Sequence, residues 1–76
     1  MKSYKLDLHG VRHHDVHDKV DKFIGEHIFE RRTNSVKIVT GNSPQMKSLV
    51  KETLSQYQLD GKEDFFNNGC LIVNFL

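Results

Sequence analysis

Tryptophan is absent from this 76-residue chain, proline and cysteine each occur once, and neither sign of charge prevails. Each scarcity excludes something. A lone Cys70 cannot close an internal disulfide, which points to a reducing, cytoplasmic setting. The longest apolar run, Cys70 to Val73, falls far short of the ~20 residues a membrane span requires, and Met1–Asp7 lacks the apolar stretch of a secretory signal. Eleven Lys and Arg against ten Asp and Glu leave a net charge of +1, which excludes a strongly basic, sequence-blind nucleic-acid binder. Any nucleic-acid contact must come from a local patch. Linkers, repeats and low-complexity stretches are missing too, so residues 1–76 read as one domain. A chain of this size buries roughly 60% of its unfolded surface, enough for a single two-layer core.

What is present is strongly patterned. Tyr4, Leu6 and Leu8 alternate with Lys5, Asp7 and His9 as in a half-buried strand, which Gly10 ends. From about His13 to Arg32, Val16, Val20, Phe23, Ile24, His27 and Ile28 recur at helical spacing. Val36–Thr40 reads as a buried strand stopped by Gly41. Ser43-Pro44 then combines a good N-cap with the residue best suited to the first helical position. Met46, Leu49, Val50, Thr53, Leu54 and Tyr57 continue it as one stripe. After a turn at Asp60-Gly61, a weak strand near Glu63–Phe66, a turn at Asn67-Asn68-Gly69 and a strong strand Cys70–Leu76 suggest a hairpin.

The order β-α-β-α-β-β implies an α/β two-layer sandwich. Strand–helix–strand units are right-handed in nearly all cases, so the first two strands are expected to be parallel neighbours. Both helices then cover one face of a four-stranded mixed sheet, with the other face at least partly open. Ligands of parallel units bind beyond the carboxyl ends of the strands. Those ends are Asp7-Leu8-His9-Gly10 and Thr40-Gly41-Asn42-Ser43. Together they offer a carboxylate, an imidazole, two glycines and helix-terminal amides suited to an anion. Pro44 has no N–H, so the useful donors are the amides of Asn42, Ser43, Gln45 and Met46. Arg12 and Lys47 stand near enough in sequence to reach phosphates.

Leu6-Asp7-Leu8-His9-Gly10, the amphipathic helix after it, Ile38-Val39-Thr40-Gly41, and the closing strand after Gly69 resemble the small MutS-related (Smr) domain. That family shows an L-D-L-H-G box near its start and a T-G-x-G or H-G-K-G turn after its second strand. The resemblance runs from about Tyr4 to Leu76. It implies a fold like the C-terminal domain of translation initiation factor 3, and an endonuclease that cleaves RNA or nicks DNA. It places Asp7 and His9 in catalytic positions, and Thr40 and Gly41 in the nucleic-acid-binding turn with Gly10, Arg12, Asn42, Ser43 and Lys47 around them. No cofactor is expected on RNA, and a divalent cation on DNA. The chain departs from the pattern where Ser43 replaces a second glycine, where Pro44 removes a donor, and where Arg12 takes the place of a helix-capping Thr or Ser. The alternative is a non-catalytic module that binds nucleic acid or the ribosome.

Other residues carry weaker expectations. His13 and His17, or His14 and Asp18, have helical spacing for a shared metal, but nothing completes a ligand set, so a solvated polar turn is the expectation. His27, inside the apolar stripe, is expected to be a buried, hydrogen-bonded core histidine. Phe29 points off the stripe and is a candidate partner contact.

Overall fold

A computed structural model describes residues 4–28, 34–64 and 66–75, with Asn68 through its backbone only. The elements are β1 (Lys5–Asp7), α1 (His13–His27), β2 (Ser35–Val39), α2 (Pro44–Ser55), β3 (Gly61–Asp64) and β4 (Asn67–Asn74). The sheet order is β1-β2-β4-β3, with β1 and β2 parallel and the other neighbours antiparallel. The two-layer α/β sandwich expected from the sequence is the fold observed. Phe29, Arg31 and Arg32, and with them the expected end of the first helix, lie outside the described residues.

The core follows the two periodicities. Val16, Val20, Phe23, Ile24 and His27 line the buried side of α1, and Met46, Val50, Thr53 and Leu54 that of α2. They pack on Leu8, Val36, Ile38, Leu71 and Val73, all buried. Each such aliphatic side chain contributes on the order of 1.5–3 kcal/mol on leaving water. Val36 pairs with Val73 and Ile38 with Leu71, so every core residue of β2 meets one of β4 on the same face. Lys37 lies on the opposite face and reaches across β4 to Asp64 at 3.4 Å.

His27 is buried as expected; its ring meets Phe23 edge-on at 4.8 Å between centroids and Tyr4 at 5.4 Å. His17 joins the helices instead of waiting for a metal. Its Nδ1 stands 3.2 Å from Thr53 Oγ1, whose own hydrogen goes to the Leu49 carbonyl at 3.0 Å. His17 is therefore the donor, which fixes its tautomer. Among the described residues no group of three or more His, Cys, Asp or Glu could hold a metal ion. None of the described helices is long and apolar enough to cross a membrane.

The hairpin differs from expectation. Asn67-Asn68-Gly69 is not a turn but the start of β4, and β3 ends at Asp64. Gly61, expected in a turn, opens β3. It is buried, and a Cβ there would stand 3.1 Å from Leu54 Cδ1, so the bare backbone lets β3 press against α2. A register shift between Glu63 and Asp64 absorbs the difference.

Candidate nucleic-acid site

Three segments meet at one end of the sheet. Asp7 pairs with Val39, and the Leu8 amide donates to the Val39 carbonyl at 2.9 Å, so the box after β1 runs out beside the turn after β2. Because β4 is antiparallel to β2, its beginning arrives at the same end. The Gly69 carbonyl accepts the amides of both Thr40, at 2.8 Å, and Gly41, at 3.0 Å.

The first segment is a tight turn. The Val11 amide donates to the Leu8 carbonyl at 3.0 Å, and Gly10, third in the turn, has φ +79°. Gln58 is the one non-glycine with positive φ among the described residues, so His9 keeps ordinary geometry and the turn is type II. Asp7 Oδ1 accepts the His9 main-chain amide at 2.8 Å. Asp7, placed by the resemblance in a catalytic position, thus braces with its carboxylate the turn that carries His9. Both residues are exposed.

The second segment is more committed than the sequence suggests. Thr40 is buried, and its hydroxyl lies within hydrogen-bonding distance of the Gly41 and Gly69 carbonyls, at 2.9 and 3.3 Å. Expected to bind phosphate, Thr40 is part of the frame, as is the Gly41 amide. Ser43 caps α2 by accepting the Met46 amide at 3.2 Å, which removes Met46 from the donors as well. Asn42, Ser43 and Gln45 keep amides that no described group takes up. Lys47 donates to Glu63 at 3.1 Å, so this cation is held against β3 and not aimed into the turn.

Arg12 stands at the N-cap of α1, extended and exposed, and makes no side-chain cap bond. The start of α1 faces that of α2 across an open groove lined by His13, Pro44, Gln45, Ser48 and Leu49. A second groove, on the other side of Pro44, is lined by Lys47, Ser48, Lys51 and Glu63.

Gly69, expected in a turn before the closing strand, packs against the Gly41 turn instead. A Cβ there would lie 3.3 Å from Gly41 Cα, so a side chain at this position would make the turn give way by a few tenths of an ångström. The sequence signal for this contact was the glycine directly before the apolar strand.

The chain matches a family model. The Smr domain model matches residues 6–75. The chain belongs to the Smr family. No curated protein and no solved structure matches it. The Smr domain is a nucleic-acid-associated family, and the end of the sheet described above carries its box and turn.

Proposed function

We propose that this Smr domain is an endonuclease that cuts nucleic-acid phosphodiester bonds at the end of the sheet where Asp7, His9 and the Gly41–Ser43 turn converge. The observation that carries this reading is the Asp7-braced turn, which holds the exposed His9 at the same end of the sheet as three amides that no described group takes up. On RNA, His9 takes the proton from the 2′-hydroxyl or supplies one to the leaving oxygen. The Asp7 charge stabilises the imidazolium that forms, and the amides of Asn42, Ser43 and Gln45 hold the phosphate oxygens. On DNA, which has no 2′-hydroxyl, Asp7 is the residue that would hold a divalent cation, whose chemistry is to activate water.

The commitment of the Gly41 and Met46 amides and of Lys47 favours a second reading, a module that binds nucleic acid without cutting it. One assay separates the two. Purified wild type and His9→Ala are incubated with labelled single- and double-stranded RNA and DNA, with and without EDTA. Cleavage by wild type that falls 10²–10⁴-fold in His9→Ala is the expected result for a general acid–base residue. Since His9 is exposed, the variant should keep its stability within about 0.5 kcal/mol. Cleavage undiminished in His9→Ala removes this mechanism, and binding without cleavage selects the second reading.

A further inference from the structure

Cleaving RNA through its own 2′-hydroxyl moves two protons, one off the attacking oxygen and one onto the oxygen that leaves. Those two oxygens lie roughly in line across the phosphorus, so one imidazole does not serve both at once. His9 accounts for one transfer and leaves the other without a carrier.

The remaining histidines divide sharply. His27 is buried in the core, and His17 is held to Thr53 Oγ1 at 3.2 Å. His14 has Asp15 at 3.5 Å. His13 is left: it is exposed, and its ring has no hydrogen-bond or ion-pair partner among the described residues. It opens α1 four residues after His9, so the two Cα atoms stand no more than about 14 Å apart. Helix α1 begins beyond the carboxyl end of β1, and α2 beyond that of β2, so both starts lie at the end of the sheet that holds His9 and the Gly41 turn.

There His13 lines one open groove with Pro44, Gln45, Ser48 and Leu49, and these α2 residues carry no charge. Gln45 brings to the groove one of the three amides proposed above for the phosphate. Of the other titratable side chains at this end, Asp7 takes the His9 amide, and Lys47 is held by Glu63 at 3.1 Å. Arg12 keeps its proton at every working pH. The helix itself has no need of His13. A helix start favours acids and hydroxyls over a cation, and His13 neither caps α1 nor joins its buried side.

We propose that His13 is the second proton carrier of RNA cleavage, complementing His9: one imidazole takes the 2′-hydroxyl proton and the other protonates the leaving 5′-oxygen. The proposal rests on the nuclease reading above. The 2′-oxygen bonds to phosphorus as the bond from phosphorus to the 5′-oxygen breaks, leaving a 2′,3′-cyclic phosphate and a 5′-hydroxyl. One proton leaves the RNA and one returns, so no co-reactant is consumed, and water resets the two rings. The same pairing makes RNA the substrate, since DNA has no 2′-hydroxyl to give the first proton.

The test uses the full chain and a short labelled RNA whose scission position is mapped with wild type. Two modified strands accompany it, one with a 2′-deoxy residue at that position and one with sulfur as the bridging 5′ atom, a leaving group that needs no proton. His13→Ala should slow cleavage 10²–10⁴-fold while keeping the wild-type melting temperature and RNA affinity. The wild-type rate should follow a bell in pH, and His9→Ala and His13→Ala should each lose one limb. The sulfur strand should restore cleavage to one of the two variants only, and that variant is the one lacking the acid. A His13→Ala protein that cuts at the wild-type rate, or that is slowed but keeps both limbs, overturns the proposal and leaves the nuclease reading standing. Rescue of both variants or of neither overturns the division of labour. Undiminished cutting of the 2′-deoxy strand overturns the choice of RNA. A wild type that binds RNA without cutting it overturns the nuclease reading, and this proposal with it.

Discussion

Gly69 and Gly41 meet backbone to backbone: the Gly69 carbonyl accepts the Gly41 amide at 3.0 Å, and a Cβ on Gly69 would stand 3.3 Å from Gly41 Cα. Gly69→Ala must therefore push the turn outward by a few tenths of an ångström. The expected outcome is a fold retained within about 1–2 kcal/mol, since the contact lies at the rim of the core, with a larger loss of binding or cleavage. Thermal melting together with binding of a labelled strand checks it. Equal activity in the variant would show that the turn tolerates displacement.

Asp7 has two separable contributions, a hydrogen-bond acceptor for the His9 amide and a charge. Asp7→Asn keeps the acceptor and removes the charge, so stability should stay within about 0.5 kcal/mol while cleavage falls. Asp7→Ala removes both and should cost about 1 kcal/mol in addition. Denaturant melts of the two variants, beside their cleavage rates, distinguish bracing from electrostatics.

Two glycines should respond in opposite directions to alanine. At Gly10, with φ +79°, open space surrounds a new Cβ, so the cost of about 1 kcal/mol is conformational. At Gly25, exposed within α1 and also surrounded by open space, alanine should stabilise by roughly 0.5–1 kcal/mol through helix propensity. Melting temperatures shifted down by the first and up by the second are the expected result.

Tyr57 joins the helices by donating its hydroxyl hydrogen to Asp21. That hydrogen bond, then partial burial, then the Asp21 charge hold the phenol pKa above its ordinary value. Folding favours the neutral phenol, so its contribution is whole below the unfolded value near 10 and is lost as pH climbs through the raised folded value. The stability difference between wild type and Tyr57→Phe should be constant from neutral pH to about 9 and shrink above about 10. Urea melts across that range provide the check, and a difference that grows with alkalinity would contradict the bond.

Element order, the parallel first pair and the buried stripes were legible because each rests on local periodicity. Ser43-Pro44 was legible as a cap because the capping bond to the Met46 amide spans only three residues. The place of the hairpin's turn was not. Asn67-Asn68-Gly69 has the composition of a turn, yet Gly69 is glycine to approach Gly41, across 28 residues of chain. The same long-range contact consumes the Thr40 and Gly41 amides, so the donors left to the site could not be counted from sequence. The ion pair of Lys47 was hidden for a similar reason, because its carboxylate partner, Glu63, lies on another element. Asp7 and His9 lie in one contiguous box, so their place at the end of β1 could be read from sequence alone.

Tyr4 and Phe75 are both bonded near the start of β2: the Tyr4 carbonyl takes the Lys37 amide, and the Phe75 amide donates to Asn34, each at 2.9 Å. Both ends of the described chain therefore leave at the margin farthest from Asp7, His9 and the Gly41 turn. A tag, tether or neighbouring module grafted onto either end would attach at the opposite end of the sheet and leave the candidate site uncovered. The domain has the layout of a tool held by its handle.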